Sequence, residues 1–198
     1  MWTKFCRKAI DPLMWRRLFR SSSTSAAQEM EAWARRPCEI IQNAHVGTFE
    51  SQELRAQYGT DAVFDDPCGT IPTPAGIVAG FEVVRFVFDV DARHERWTFH
   101  PPLAKGMAFS EDALGGDGDV LPAQARCEQR ALYTFRHAPM VKFTLPSTIV
   151  LTFDPETKLV DRHEDRWFGR PVTLNGAHAL FKRLHGAAFV ALFAEKGR

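Results

Sequence analysis

Ser147-Thr148-Ile149-Val150-Leu151-Thr152-Phe153 is the strongest strand signal in the chain, and the turn-rich link Asp154-Pro155-Glu156-Thr157-Lys158 joins it to the segment from Leu159 to Phe168. Two such runs across a short link dictate an antiparallel hairpin. Its second arm, L-V-D-R-H-E-D-R-W-F, is the informative one. Strand side chains alternate faces, so Leu159, Asp161, His163, Asp165 and Trp167 share one side, and Val160, Arg162, Glu164, Arg166 and Phe168 share the other. Neither side is apolar, although the neighbouring arm is strongly so. A bent sheet resolves this: its concave face encloses a polar-lined hollow, and Arg/Glu pairs lace the solvent face.

The rest of the pattern surrounds that hairpin. Met30, Trp33, Ala34, Ile40, Ile41 and Ala44 recur at helical spacing, with Pro37 predicting a broken helix or two short ones. Val63 and Phe64 predict a short strand stub stopped by Asp65-Asp66-Pro67, and Ile71 to Gly76 reads as loop. From Gly80 an apolar run predicts a helix of about ten residues, with a strand as the alternative given its β-branched content. Glu95–His100 and Cys127–Arg136 read as strands, Gly106–Pro122 as a long loop, and Ala177 to Leu192 as an amphipathic C-terminal helix. Helices first and antiparallel strands later predict an α+β domain, a curved sheet covered by helices on one side.

Composition removes several classes. No apolar run approaches the roughly 20 residues of a membrane helix. Cys6, Cys38, Cys68 and Cys127 form no CxxC or Cys/His cluster, and no GxSxG, phosphate-binding or dinucleotide-binding glycine motif occurs. Neither a metal nor a cofactor is expected. Residues 1–28 hold six basic side chains against Asp11 alone, leaving a body with 19 basic and 23 acidic groups. Such a body has no electrostatic reason to bind nucleic acid. The basic, serine-rich segment 1–28 has the composition of a transit peptide, which predicts a mitochondrial address, with a cytoplasmic one as the alternative. A basic tail, or a first helix docked on the body, is the other reading of that segment. Residues 29–198 are then the domain.

His163 and Asp165 sit about 7 Å apart as i and i+2 neighbours. A carboxylate at that range can orient an imidazole or favour its protonation, and Trp167 beside them supplies an apolar wall. The pair can work as general acid and base. Cross-strand salt links on a solvated sheet face are the competing explanation. Asp66 reads more simply as a turn residue bonding the backbone ahead, and Asp65 is left open. Asp112, Asp117 and Asp119 lack the spacing of a calcium loop.

The order of a helix-rich start, Y-G-T-D-A-V-F-D-D-P, the G-F-E-V-V-R-F helix and T-I-V-L-T-F-D-P-E-T-K-L-V-D-R-H-E-D-R-W-F resembles the nuclear transport factor 2-like superfamily, in its SnoaL-like branch, over about residues 29–185. The resemblance implies a cone-shaped barrel, a curved antiparallel sheet wrapped around N-terminal helices, with a pocket at its wide end. It implies metal-free acid/base chemistry of the cyclase, isomerase or dehydratase type on an apolar or polycyclic carbonyl compound, or else a non-catalytic interaction or dimerisation module with a plugged cone. His163 and Asp165 match the pocket strand, with Asp65 as a further carboxylate, and Trp167, Asp161, Phe64 and Tyr133 are the expected lining. No tyrosine matches the oxyanion-binding position of ketosteroid isomerases. A hydrophobic small molecule and a second copy of the chain are the expected partners.

Overall fold

A computed structural model of the chain describes residues 12–104, 120–170 and 175–193. Residues 106–119 of the expected glycine-rich loop, with Asp112, Asp117 and Asp119, and the first eleven residues of the basic segment lie outside them; Val120–Leu121, expected in that loop, are a short strand instead.

Helix α1 runs unbroken over Pro12–His45, through the expected boundary at residue 28 and through Pro37. Proline at the first position fits a helix start, since its missing N–H has no intrahelical partner there. Pro37 forfeits one internal hydrogen bond, but Met30, Ala34, Cys38, Ile41 and Ala44 form one buried stripe that spans it. Packing along that stripe carries the helix past the proline. It ends at Gly47, whose φ of 76° lets its N–H return to the Ala44 carbonyl at 3.0 Å.

The short α2 (Ser51–Arg55) leads into β1 (Tyr58–Asp65), far longer than the expected stub, and β2 (Thr70–Pro72), where a loop was expected. Helix α3 (Pro74–Val87) begins earlier than the apolar run suggests, because Thr73 caps it by accepting the Gly76 N–H and Pro74 opens its first turn. The apolar pattern continues beyond Val87, but Phe88 is already extended and starts β3 (Phe88–His94). Strand β4 (Thr98–His100) follows, then the two-stranded pair β5 (Leu103–Ala104) and β6 (Val120–Leu121). The long strands β7 (Ala123–Phe135), β8 (Ala138–Phe153) and β9 (Val160–Trp167) come next, and α4 (Gly176–Phe193) ends the described chain.

The fold is α+β, a curved seven-stranded sheet with helices from both ends of the chain. Its order is β2-β1-β9-β8-β7-β3, with β4 also on β7. Two details of the expected barrel are corrected. The sheet is mixed, because β1 and β9 run parallel, and its two edges do not meet. The expected β8–β9 hairpin is present, its turn held by Asp154 Oδ1, which accepts the Glu156 and Thr157 amides at 3.0 and 2.6 Å. The core lies between α1, α3 and the concave face, where Ala125, Ile149, Leu151, Phe153 and Val160 face Met30, Ala34, Ile41 and Phe81.

Helix α4 presents an unexpected side. Leu180, Phe181 and Leu184 of its apolar stripe are 59, 55 and 64% exposed, while Lys182 is 1% exposed and Gly186 is buried. A Cβ at Gly186 would lie 1.9 Å from the Thr70 carbonyl oxygen, so only glycine lets α4 sit directly on β2.

Candidate functional site

Strand β9 turns His163 and Asp165 inward, opposite Leu151 and Ile149 of β8. The alternation is interrupted once. Phe153 pairs with Val160 and Thr152 with Arg162, so Asp161 is an extra residue on β9 and faces solvent. The expected lining role of Asp161 therefore has no place in the interior. Leu159 precedes the strand, and Trp167, opposite Ser147, is half-buried.

His163 is wholly buried, and both ring nitrogens are occupied. Nδ1 lies 2.8 Å from the Tyr58 hydroxyl, and Nε2 lies 3.3 Å from Nε2 of His45. Nδ1 of His45 is 3.4 Å from the Gln129 side-chain amide, which also donates to Ser147 Oγ at 2.9 Å. Tyr58, His163, His45, Gln129 and Ser147 thus form one hydrogen-bonded row drawn from β1, β9, α1, β7 and β8. One polarity serves it throughout: the Gln129 amide donates to His45, His45 to His163, and His163 to Tyr58. Phe64 meets the His163 ring edge-on at 4.8 Å, and Phe81 stacks near it at 6.0 Å. Burial, reinforced by the nearby His45, holds His163 well below the usual imidazole range, and burial, with His94 adding to it, takes His45 down to about 3. Both rings are neutral at pH 7, and no nitrogen of His163 faces open space.

Asp165 does not bond to His163. Burial pushes its carboxyl up to about 7, with the Asp66 charge adding to the rise. The Ser147 hydroxyl and Trp167 indole approach it and oppose part of that rise, but Oδ1 is left without a hydrogen-bond partner, as is Nε1 of Trp167. Tyr133, on the same concave face, stacks on Phe143 at 5.0 Å. Burial pushes its hydroxyl up, and the charges of Asp165 and Asp66 push the same way. Asp66, Asp165 and Tyr133 are therefore electrostatic neighbours.

Asp65 points to the opposite side of β1. It receives Arg162 at 2.8 Å and Thr70 Oγ1 at 2.9 Å, and it pairs with buried Lys182 of α4. This carboxylate anchors α4 and is saturated with donors. Asp66 closes the expected turn, its Oδ1 accepting the Cys68 and Gly69 amides at 2.7 and 2.6 Å.

A cavity of about 130 Å³ lies between α3, the end of β1 with its turn into β2, and α4. Phe64, Ile71, Ile77, Phe81 and Val84 make it apolar, and Asp66, Cys68 and His185 contribute its polar side chains. Of the expected lining set only Phe64 borders it. His163 lies behind the Phe64 and Phe81 rings. His45, Gln129 and Ser147 were not foreseen, because each is a solitary residue on its own element and only the fold brings them together. Among the described residues no three His, Cys, Asp or Glu side chains converge as a metal site, and no helix is long and apolar enough to cross a membrane.

No family model matches the chain, and no curated protein matches it in sequence. Among solved structures it is similar to a hypothetical protein with a ketosteroid isomerase-like fold from Catenulispora acidiphila, in complex with trimethylamine. That match has 12% identity and a TM-score of 0.46, over 71% of this chain and 97% of that one. It is also similar to an NTF2-like protein of unknown function from Exiguobacterium (9%, TM-score 0.46, 66% and 96%). An LEH-like epoxide hydrolase from M. tuberculosis matches with 11% identity and a TM-score of 0.47, over 81% and 96%.

Proposed function

We propose that this domain binds a small apolar molecule in the cavity between α3, the β1–β2 turn and α4, and that Asp165 is its acid/base group. The observation that carries the reading is an apolar void with a carboxyl on its wall, Asp66, that is also an electrostatic neighbour of Asp165. Proton transfer near neutrality favours a group that titrates there; burial pushes the Asp165 carboxyl up to about 7, and since it does not line the cavity its route to a ligand runs through Asp66 on the wall. His163 becomes a positioning residue, since Tyr58 and His45 occupy its nitrogens. The chemistry this supports is metal-free proton transfer of the cyclase, isomerase or dehydratase type.

The test is thermal melting of the full chain against apolar compounds of graded size at pH 6 and pH 8. A saturable rise in Tm is expected, with affinity that changes across this range in the wild type and not in Asp165→Asn. No rise for any compound would favour an interaction module that pairs with a second copy. The support for that alternative is the exposed set Leu180, Phe181 and Leu184 on α4 and the filled space around His163. We assign residues 1–28 as a mitochondrial presequence on composition alone, and N-terminal sequencing of the native protein checks it: an intact Met1 overturns the assignment.

A further inference from the structure

Size and wall chemistry narrow the ligand. An apolar cavity of about 150 Å³ holds one benzene ring, and the present void of about 130 Å³ is of that class. Fused polycycles of the kind implied by the sequence resemblance exceed it. The rings of Phe64 and Phe81 stand 5.9 Å apart at 72°, so they form a corner with one edge and one face. Flat aromatic rings pack well against both surfaces. Ile71, Ile77 and Val84 add aliphatic carbon to the other walls. Against these walls Asp66 supplies a directed acceptor. The Cys68 and Gly69 amides both bond its Oδ1, which holds the carboxyl in place on the cavity wall and leaves the second oxygen outside those two bonds.

We propose that the cavity takes a single-ring phenol, its ring in the Phe64–Phe81 corner and its hydroxyl donating to Asp66. This rests on the small-molecule reading above and adds the ligand's size and its one polar contact. An aromatic alcohol offers this carboxyl a further donor, which an arene cannot. Asp66 also raises the Asp165 carboxyl, so a bound hydroxyl that engages Asp66 reports on the acid/base group.

The experiment is titration of the full chain with p-cresol, toluene and 2-naphthol, followed by calorimetry and by ligand-observed NMR. p-Cresol is expected to bind saturably, and toluene about tenfold more weakly, the worth of one hydrogen bond to a charged acceptor. 2-Naphthol is expected not to bind. Asp66→Asn keeps an oxygen for the turn amides and should weaken p-cresol about tenfold while leaving toluene unchanged. Val84→Phe should abolish binding of both with the melting transition still cooperative. Tighter binding of 2-naphthol than p-cresol overturns the size assignment, and equal binding of toluene and p-cresol overturns the role of Asp66; either leaves a small-molecule pocket standing. No binding by any of the three, together with no response in the graded panel, overturns both.

Discussion

The two sides of β9 solve one problem in opposite ways. Inward, His163 joins Tyr58, His45, Gln129 and Ser147 in a row of neutral hydrogen bonds, and Asp165 is driven toward its neutral form. Outward, Arg162 and Arg166 flank Glu164 at 2.6 and 2.8 Å, and Arg162 also reaches Asp65, which holds Lys182 of α4. The inner side meets burial by discarding charge. The outer side keeps its charges and pairs them, even at Lys182, which is as buried as the core leucines. Buried neutral groups depend on hydrogen-bond geometry, and a buried charge depends on its counter-charge. The two sides should therefore fail differently.

The largest effect is expected on the charged side. Asp65→Ala leaves Lys182 buried without that carboxylate, which costs about 3–5 kcal/mol and should free α4 from β2. Urea unfolding measures the loss, and hydrogen exchange in residues 176–188 measures the release. Lys182→Met, which removes the charge and keeps an apolar stem, should cost less. An equal loss in both would deny that the pair holds the helix.

Next is the pH dependence of the inner side. Asp165 has a folded pKa of about 7 against an ordinary value of 3.8. Below that ordinary value it is neutral in both states and costs nothing; as pH rises toward 7 the unfolded state ionises first and stability falls. Asp165→Asn should therefore match the wild type near pH 3 and exceed it at pH 8, by on the order of a few kcal/mol. His45 and His163 have the other sign. Their depressed folded pKa values make the stability present above pH 6.5 disappear as pH falls below it, for His45 down to about 3. A pH-independent difference between Asp165→Asn and wild type would remove the titration from the account.

Smaller changes refine the contrast. Tyr58→Phe leaves His163 Nδ1 without its partner and should cost about 1–3 kcal/mol with no change in pH slope. Arg166→Ala, at a partly solvated pair where Arg162 still serves Glu164, should cost about 1 kcal/mol or less. Chemical denaturation at fixed pH ranks the two, and a reversed order would contradict the distinction between the sides.

Much of this arrangement was legible from alternation alone. The placement of His163 and Asp165 on one face, and of Arg162, Glu164 and Arg166 on the other, follows from a period of two. Asp161 escaped that logic because the bulge opposite Thr152 and Phe153 arises from pairing, which no local pattern announces. Helix α4 was legible as a helix but not in its orientation. Its leucines suggested the buried side, whereas the Asp65–Lys182 pair and the Gly186–Thr70 contact set the side that docks. Strand β3 was hidden because the apolar pattern runs unbroken from α3 across Val87. The partners of His163 were invisible for a simpler reason: Tyr58 and His45 lie 105 and 118 residues away along the chain.

The most direct measurement is a crystal structure of the protein under xenon pressure, since apolar voids of this size take up that atom. The account predicts xenon bounded by Phe64, Ile77, Phe81 and Val84, with the His163–Tyr58 and His163–His45 contacts undisturbed. Xenon lodged beside His163 and Tyr58, or none in the chain at all, would contradict it.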